Sequence, residues 1–138
     1  MRCVFDTNVI VSAALLAGSV PRMAFDKALG EGRVLISAPV LLELAEVLSR
    51  KKLDRYLLEG ERMRFLVALL KEAELVEITE AVSECRDEKD NKFLELAVSG
   101  TADCIVSGDD DLLVLNPFRG IPILTPREFL NGLSQQEI

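Results

Sequence analysis

The sequence predicts an α/β domain in which helices cover both faces of a central, mostly parallel sheet. Three observations carry that expectation. Short continuous apolar runs (Cys3-Val4-Phe5, Val34-Leu35-Ile36 and Cys104-Ile105-Val106) lack the alternation of a half-exposed strand and fit strands buried on both faces. Helical patterns separate them, as parallel pairing requires. No Pro-, Gly- or Ser-rich linker divides the 138 residues, so residues 1–138 are expected to form one domain around one core.

The elements follow in order. Cys3–Phe5 reads as a buried strand that ends at Asp6. Asn8 to Leu16 is apolar and Ala-containing and suits a helix, which Gly18 to Pro21 breaks. Pro21 fits the start of a helix from Arg22 to Leu29, with Gly30 and Gly32 as stops. After the strand Val34–Ile36, Ser37 and Pro39 open a helix through Ser49, with Val40, Leu44, Val47 and Leu48 as its buried stripe. Arg50-Lys51-Lys52 closes that helix with the charge its C-terminus favours. Glu61–Glu74 is amphipathic, Leu75–Ile78 reads as a strand, and the polar segment Ala81–Lys89 as a loop. Asn91–Ser99 is a helix that Gly100 ends. The strand Cys104–Val106 runs into a turn at Ser107–Asp111, and the apolar Leu112–Leu115 follows. Ile121–Leu124 is an edge strand, because Pro122 cannot donate to a central ladder. Pro126–Leu133 is the closing helix.

Composition excludes several chemistries. There is no histidine, which removes Ser-His-Asp and Cys-His triads, His general bases and His-ligated zinc. Cys3, Cys85 and Cys104 are odd in number and form no CxxC, so they read as buried, reduced thiols of a cytoplasmic protein. The apolar run Val9–Gly18 is too short to span a bilayer, and Asp6 just ahead of it spoils a signal peptide, so no membrane association is expected. Acids number 23 against 16 Lys and Arg, for a net charge of -7. A uniformly acidic surface is not that of a nucleic-acid binder. Carboxylates gathered in one cleft, however, hold divalent cations, and a cation inverts the local field.

The acids are placed for that. In open α/β sheets, ligands collect at the carboxyl ends of strands near a topological switch point. Asp6 follows the first strand directly, and Asp109 and Asp111 follow Cys104–Val106 by a short turn. If the two strands are neighbours, these carboxylates share one crevice. Glu43 lies three residues after Val40 and four before Val47, on the border of the buried stripe, where a carboxylate costs desolvation unless a cation meets it. Asp87 and Asp90 flank a helix start. Asp87 reads equally well as an N-cap with Asp90 near N3, and Asp109-Asp110-Asp111 equally well as a solvated turn. A site of carboxylates without His or a Cys cluster suits Mg²⁺ or Mn²⁺ rather than Zn²⁺. Two such ions about 4 Å apart activate a water and stabilise the leaving oxygen of a phosphodiester. No phosphate-cradling glycine loop and no basic-aromatic interleaving accompany them.

The motifs together resemble the PIN-domain nucleases. Phe5-Asp6-Thr7-Asn8 is similar to the family's opening D-[ST]-N. Leu42-Glu43-Leu44 resembles its mid-chain Glu, and Arg86 to Ala97 its acidic helix start followed by an apolar helix. Val106-Ser107-Gly108-Asp109-Asp110-Asp111-Leu112 resembles its closing motif, with Leu112 in place of the usual aromatic. The order matches over nearly the whole chain, and the likeness is greatest to VapC-type toxins of toxin-antitoxin pairs. The resemblance implies a three-layer α/β/α PIN-like domain and a Mg²⁺- or Mn²⁺-dependent endoribonuclease. It further implies a homodimer and a small antitoxin protein as partner. By motif, Asp6, Glu43, Asp90 and Asp109 are the catalytic and metal-holding quartet, with Asp111 a further metal ligand. Thr7, Asn8 and Ser107 orient carboxylates or water, and Asp87 is a supporting acid. Of the basic residues, Arg22, Lys51, Lys52 or Lys92 would meet RNA phosphates, although Lys51 and Lys52 read first as a solvated helix end. Two other readings remain open. One is a non-catalytic PIN-like module that binds RNA or protein. The other is an aspartyl-phosphate phosphatase, which Asn8 disfavours because it stands where that class carries a second Asp.

Overall fold

Apolar strands three and four residues long leave little to chance in pairing, and the computed structural model shows where they go. It describes residues 1–136; residues 137 and 138 of the expected single domain lie outside the described residues. Five strands form one parallel sheet: β1 (Arg2–Phe5), β2 (Arg33–Ile36), β3 (Glu74–Leu75), β4 (Cys104–Val106) and β5 (Ile123–Leu124), in the order β3-β2-β1-β4-β5. The helices are α1 (Thr7–Leu15), α2 (Val20–Glu31), α3 (Ala38–Leu48), α4 (Glu59–Glu72), α5 (Asn91–Ser99), α6 (Asp110–Leu113) and α7 (Pro126–Gln136).

Both faces of the sheet are covered. Successive strand residues point to opposite faces, yet every residue of Cys3–Phe5, Val34–Ile36 and Cys104–Val106 is buried. On the face that Phe5 presents, its ring meets Phe25 of α2 at 5.6 Å and Phe129 of α7 at 6.0 Å, and Phe25 in turn meets Phe65 of α4. α5 packs against β1, β2 and β4. The result is the expected three-layer α/β/α arrangement. The three cysteines are buried and free, as expected.

Each turn from strand to helix is made by a capping side chain. Asp6 accepts the Asn8 N–H at the start of α1, Ser37 the Val40 N–H at α3, and Asp109 the Asp111 N–H at α6. Ser19 does the same for α2, with Pro21 in the first turn. Gly32 is required by close approach. A Cβ there would sit 2.0 Å from the Met1 carbonyl oxygen, which accepts the Arg33 N–H to begin the β1–β2 pair.

The differences from expectation are local. The third strand is Glu74–Leu75 rather than Leu75–Ile78, because past Leu75 only the Val76 N–H still reaches a strand carbonyl, that of Ile36. The expected edge strand narrows to Ile123–Leu124, with the Pro122 carbonyl still accepting from Ile105. The Asp109-Asp110-Asp111 turn begins a short helix. Short 3₁₀ helices occupy Lys51–Arg55 and Glu88–Asp90. The segment expected to be a loop is pinned along α5 by three side chains four residues apart. Ser99 Oγ accepts the Thr79 N–H, Glu95 the Val82 N–H and Asn91 the Cys85 N–H. No single helix among the described residues is long and apolar enough to cross a membrane.

Arg62 of α4 ties the C-terminal end of α3 to the connection between α3 and α4. It is wholly buried, donates to the carbonyls of Leu48, Arg50 and Leu57, and pairs with Asp54 at 2.9 Å. Replacing it with Met strands those carbonyls and Asp54. Arg62→Met is expected to cost about 2–4 kcal/mol in urea unfolding, far more than an exposed Arg64→Met.

Candidate active site

The switch point of the sheet lies between β1 and β4, from which the strand order runs outward in both directions. The two strands pair with Phe5 opposite Val106, so the next residues, Asp6 and Ser107, emerge side by side at the carboxyl edge. The Asp6 N–H donates to the Val106 carbonyl at 2.9 Å. The Ser107 hydroxyl donates to Asp6 Oδ2 at 2.7 Å and accepts the Asp109 N–H at 3.0 Å. A hydroxyl has one proton, so this arrangement assigns it to Asp6 and draws the loop carrying Asp109 to the same place. Asp6 and Asp109 line an open cleft of about 340 Å³ with Asn8, Val9, Ser12, Pro21, Gly108 and Pro126.

Asp6 is nearly fully buried, at 4% exposure. Burial pushes its carboxyl above the ordinary range. Hydrogen bonds from Ser107 and the Asn8 N–H oppose that, and the charges of Asp109 and Glu43 add to it. Asp90 is pushed further, to about 7. Burial contributes most, then a hydrogen bond to Asp109 that only a protonated Asp90 makes, then the charges of Asp109, Asp6 and Asp87. Its Oδ2 is buried with no hydrogen-bond partner, and so is Thr7 Oγ1. Asp6, Asp90 and Asp109 thus form one interacting group, and Glu43 acts on Asp6 from α3.

The other expected residues divide. Glu43 is half-buried, as its place on the stripe implied, but its carboxylate is met by Lys92 Nζ of α5. Asp87 is exposed and caps the 3₁₀ turn by accepting the Lys89 N–H at 3.1 Å. With Asp111 it lines a neighbouring depression beside Arg86, Glu88 and Lys89, rather than the cleft of Asp6. Asn8 contributes its backbone N–H, and its exposed side chain lines the cleft. Arg22 is engaged away from the acids, with Asp26, the Ala13 carbonyl and the Phe65 ring. Sequence reasoning misses the part played by two residues. Asn91 fixes the Cys85 backbone one residue after Asp90, and its position at the start of an apolar helix is the available signal. Lys92, expected as a phosphate contact, pairs with Glu43, a contact that sequence reasoning did not anticipate.

Among the described residues, no three acidic or cysteine side chains converge closely enough to coordinate one ion as they stand. Repulsion among carboxylates works against convergence. The donor set nevertheless fits a hard divalent cation. It is all oxygen, Asp90 carries an unpartnered buried oxygen, and burial with the nearby Asp90, Asp111 and Asp109 charges keeps Cys85 a thiol.

A model of the PIN domain matches residues 2–111. An uncharacterized protein of Methanocaldococcus jannaschii is 31% identical over 140 residues, covering 94% of this chain and 90% of its own length. Among solved structures, VapBC2 from Rickettsia felis, bound to a DNA fragment from its promoter, superposes with a TM-score of 0.62 at 15% identity, covering 89% of this chain and 97% of that one. PAE2754 from Pyrobaculum aerophilum superposes with a TM-score of 0.63, also at 15% identity, covering 98% and 91%. These two likenesses are of fold.

The raised Asp90 carboxyl makes stability depend on pH. The folded protein holds a proton there that the unfolded chain releases between its ordinary value of 3.8 and about 7. Stability therefore falls as pH rises through that window, and the full penalty applies above it. In EDTA, Asp90→Asn is expected to melt a few degrees above wild type at pH 8, with the difference shrinking toward pH 4. Parallel melting curves across that range would refute the assignment.

Proposed function

The chain belongs to the PIN-domain family, and from that premise we propose that it is a metal-dependent endoribonuclease. One observation carries the reading. The parallel β1–β4 pair delivers Asp6, Ser107 and Asp109 to the switch-point cleft, beside an Asp90 whose carboxyl is raised by burial first and then by Asp109 and the other nearby acids. Asp6, Asp90 and Asp109 would hold Mg²⁺ or Mn²⁺, Glu43 faces the same group from α3, and Asp111 is an outer acid. When bound, a divalent cation supplies Lewis acidity that activates water and offsets phosphate charge.

The chain's own residues do the rest. Ser107 and the Asn8 N–H hold the Asp6 carboxylate in one orientation. Asp109 is fixed by its own cap to the Asp111 N–H. Asp90, raised by burial and by the neighbouring carboxylates, would give up its proton on binding the cation. Thr7 Oγ1, directly after Asp6 in the chain, is a buried hydroxyl without a hydrogen-bond partner. Asp87 supports the site by capping the turn that presents Asp90. Among the described residues that line the cleft there is no Lys or Arg, so a cation held by the acids would supply the attraction for a phosphodiester.

A toxin role with a small antitoxin protein as partner, and a homodimer, belong to the same proposal. The fold shared with VapBC2 supports the toxin and antitoxin part of it. Buried free cysteines suit the reducing cytoplasm.

The test is cleavage of a mixed single-stranded RNA pool, with matched DNA, in Mg²⁺ or Mn²⁺ and in EDTA. Cutting of RNA is expected only with the ions. Asp6→Asn and Asp109→Asn are expected to lower the rate at least about a hundredfold while remaining folded by circular dichroism. Folded, partner-free wild type that cuts nothing with either ion would favour the binding module instead.

A further inference from the structure

Glu43 is a motif carboxylate, yet it is already in contact with a cation of the chain itself. Lys92 Nζ donates to Glu43 Oε2 from the first turn of α5, two residues after Asp90. The pair is sheltered, with side chains only 18% and 30% exposed. The ammonium also lies 5.7 Å from the centre of the ring of its chain neighbour Phe93, which favours a cation there. Among the described residues, no other Lys or Arg forms an ion pair with Asp6, Glu43, Asp90 or Asp109. Nearby cations are used elsewhere, Arg50 by Glu46 and Arg22 by Asp26.

We propose that Lys92 is a built-in counterion for Glu43 and stands in for a second divalent cation, so that the acidic site takes one ion per chain, at Asp6, Asp90 and Asp109. The proposal rests on the metal-site reading above and settles the number of ions within it. Two physical points carry it. A second ion using Glu43 has to displace an ammonium from a half-buried contact, or sit within a few ångströms of it, and both are costly at low dielectric. With Glu43 neutralised by Lys92, the remaining three carboxylates are balanced to within one charge by a single divalent ion. Lys92 is thus a positioning residue. It holds Glu43 against α5 and sets the field at the site without entering the ion's ligand set.

The experiment counts Mn²⁺ by calorimetry and by electron paramagnetic resonance on the full chain, with no RNA present. Wild type, Glu43→Gln and Lys92→Arg are each expected to bind one Mn²⁺ per chain. Lys92→Met is expected to gain a second, bound at least about tenfold tighter than any weak second binding in wild type. Adding Glu43→Gln to Lys92→Met should abolish it. Melting curves check that each variant is folded, and Lys92→Gln repeats the test if Lys92→Met does not fold. Two Mn²⁺ in wild type, one of them lost in Glu43→Gln, would overturn the proposal and leave the nuclease reading standing. A count that stays at one in folded Lys92→Met would also overturn it. Wild type that binds no Mn²⁺ would overturn both.

Discussion

Asp6 is held at both ends of the residue by β4. Its backbone N–H donates to the Val106 carbonyl, and its carboxylate accepts from the Ser107 hydroxyl. Everything else at the site depends on that register. A slip of one residue between β1 and β4 would exchange the faces of every side chain on the moved strand and break both contacts. Apolar patterning alone does not forbid the slip, since both faces of each strand are apolar and buried; close packing of unequal side chains on each face opposes it, as does the Asp6–Ser107 contact it would break. The short apolar strands that build the core are therefore also the device that sets the distance between Asp6 and Asp109. Core packing and site geometry are one constraint.

The cost of the arrangement is electrostatic, and the surrounding structure offsets only part of it. Asp6 gains from the first N–H groups of α1, from the sign of the helix dipole there, and from Ser107. Asp109 gains from the Asp111 N–H. Asp90 has a buried oxygen with no donor at all, and it carries the largest consequence, a carboxyl titrating near neutrality. A fold selected only for stability would replace it with Asn. Strain retained at one carboxylate, amid well-capped neighbours, has the pattern expected where a cation supplies the missing partner.

The layering and the switch point were legible in the sequence because they rest on local patterns. Continuous apolar triplets meant buried parallel strands, and Asp6 and Asp109 directly after two of them meant acids at the carboxyl edge. The place of Glu43 on the stripe of α3 followed from helical spacing. What could not be read is what depends on contacts between distant elements. The segment 76–87 has no periodicity of its own and takes its course from Asn91, Glu95 and Ser99 on α5, each of which looks like an ordinary surface polar residue in a helix pattern. The Lys92–Glu43 pair spans 49 positions of sequence. Asp87 is ambiguous between cap and ligand in the sequence; its bond to the Lys89 N–H shows the cap and does not bear on the ligand role.

For the proposed phosphodiester substrate, net charge and substrate charge look opposed, and a cation held by the acids would reconcile them. The chain carries -7 overall, and the cleft beside Asp6 is walled by small, apolar and acidic residues. A basic cleft would attract every polyanion at any ion concentration. An acidic one repels them until a divalent cation reverses the field at one point. Recognition is then confined to the phosphate that reaches that point, and it lapses when the ion leaves. Lys92, half-buried and committed to Glu43, does not weaken this logic. An ammonium spent on a carboxylate neutralises a charge inside the site without offering a cation to phosphate outside it, so the cleft remains acidic where substrate would enter.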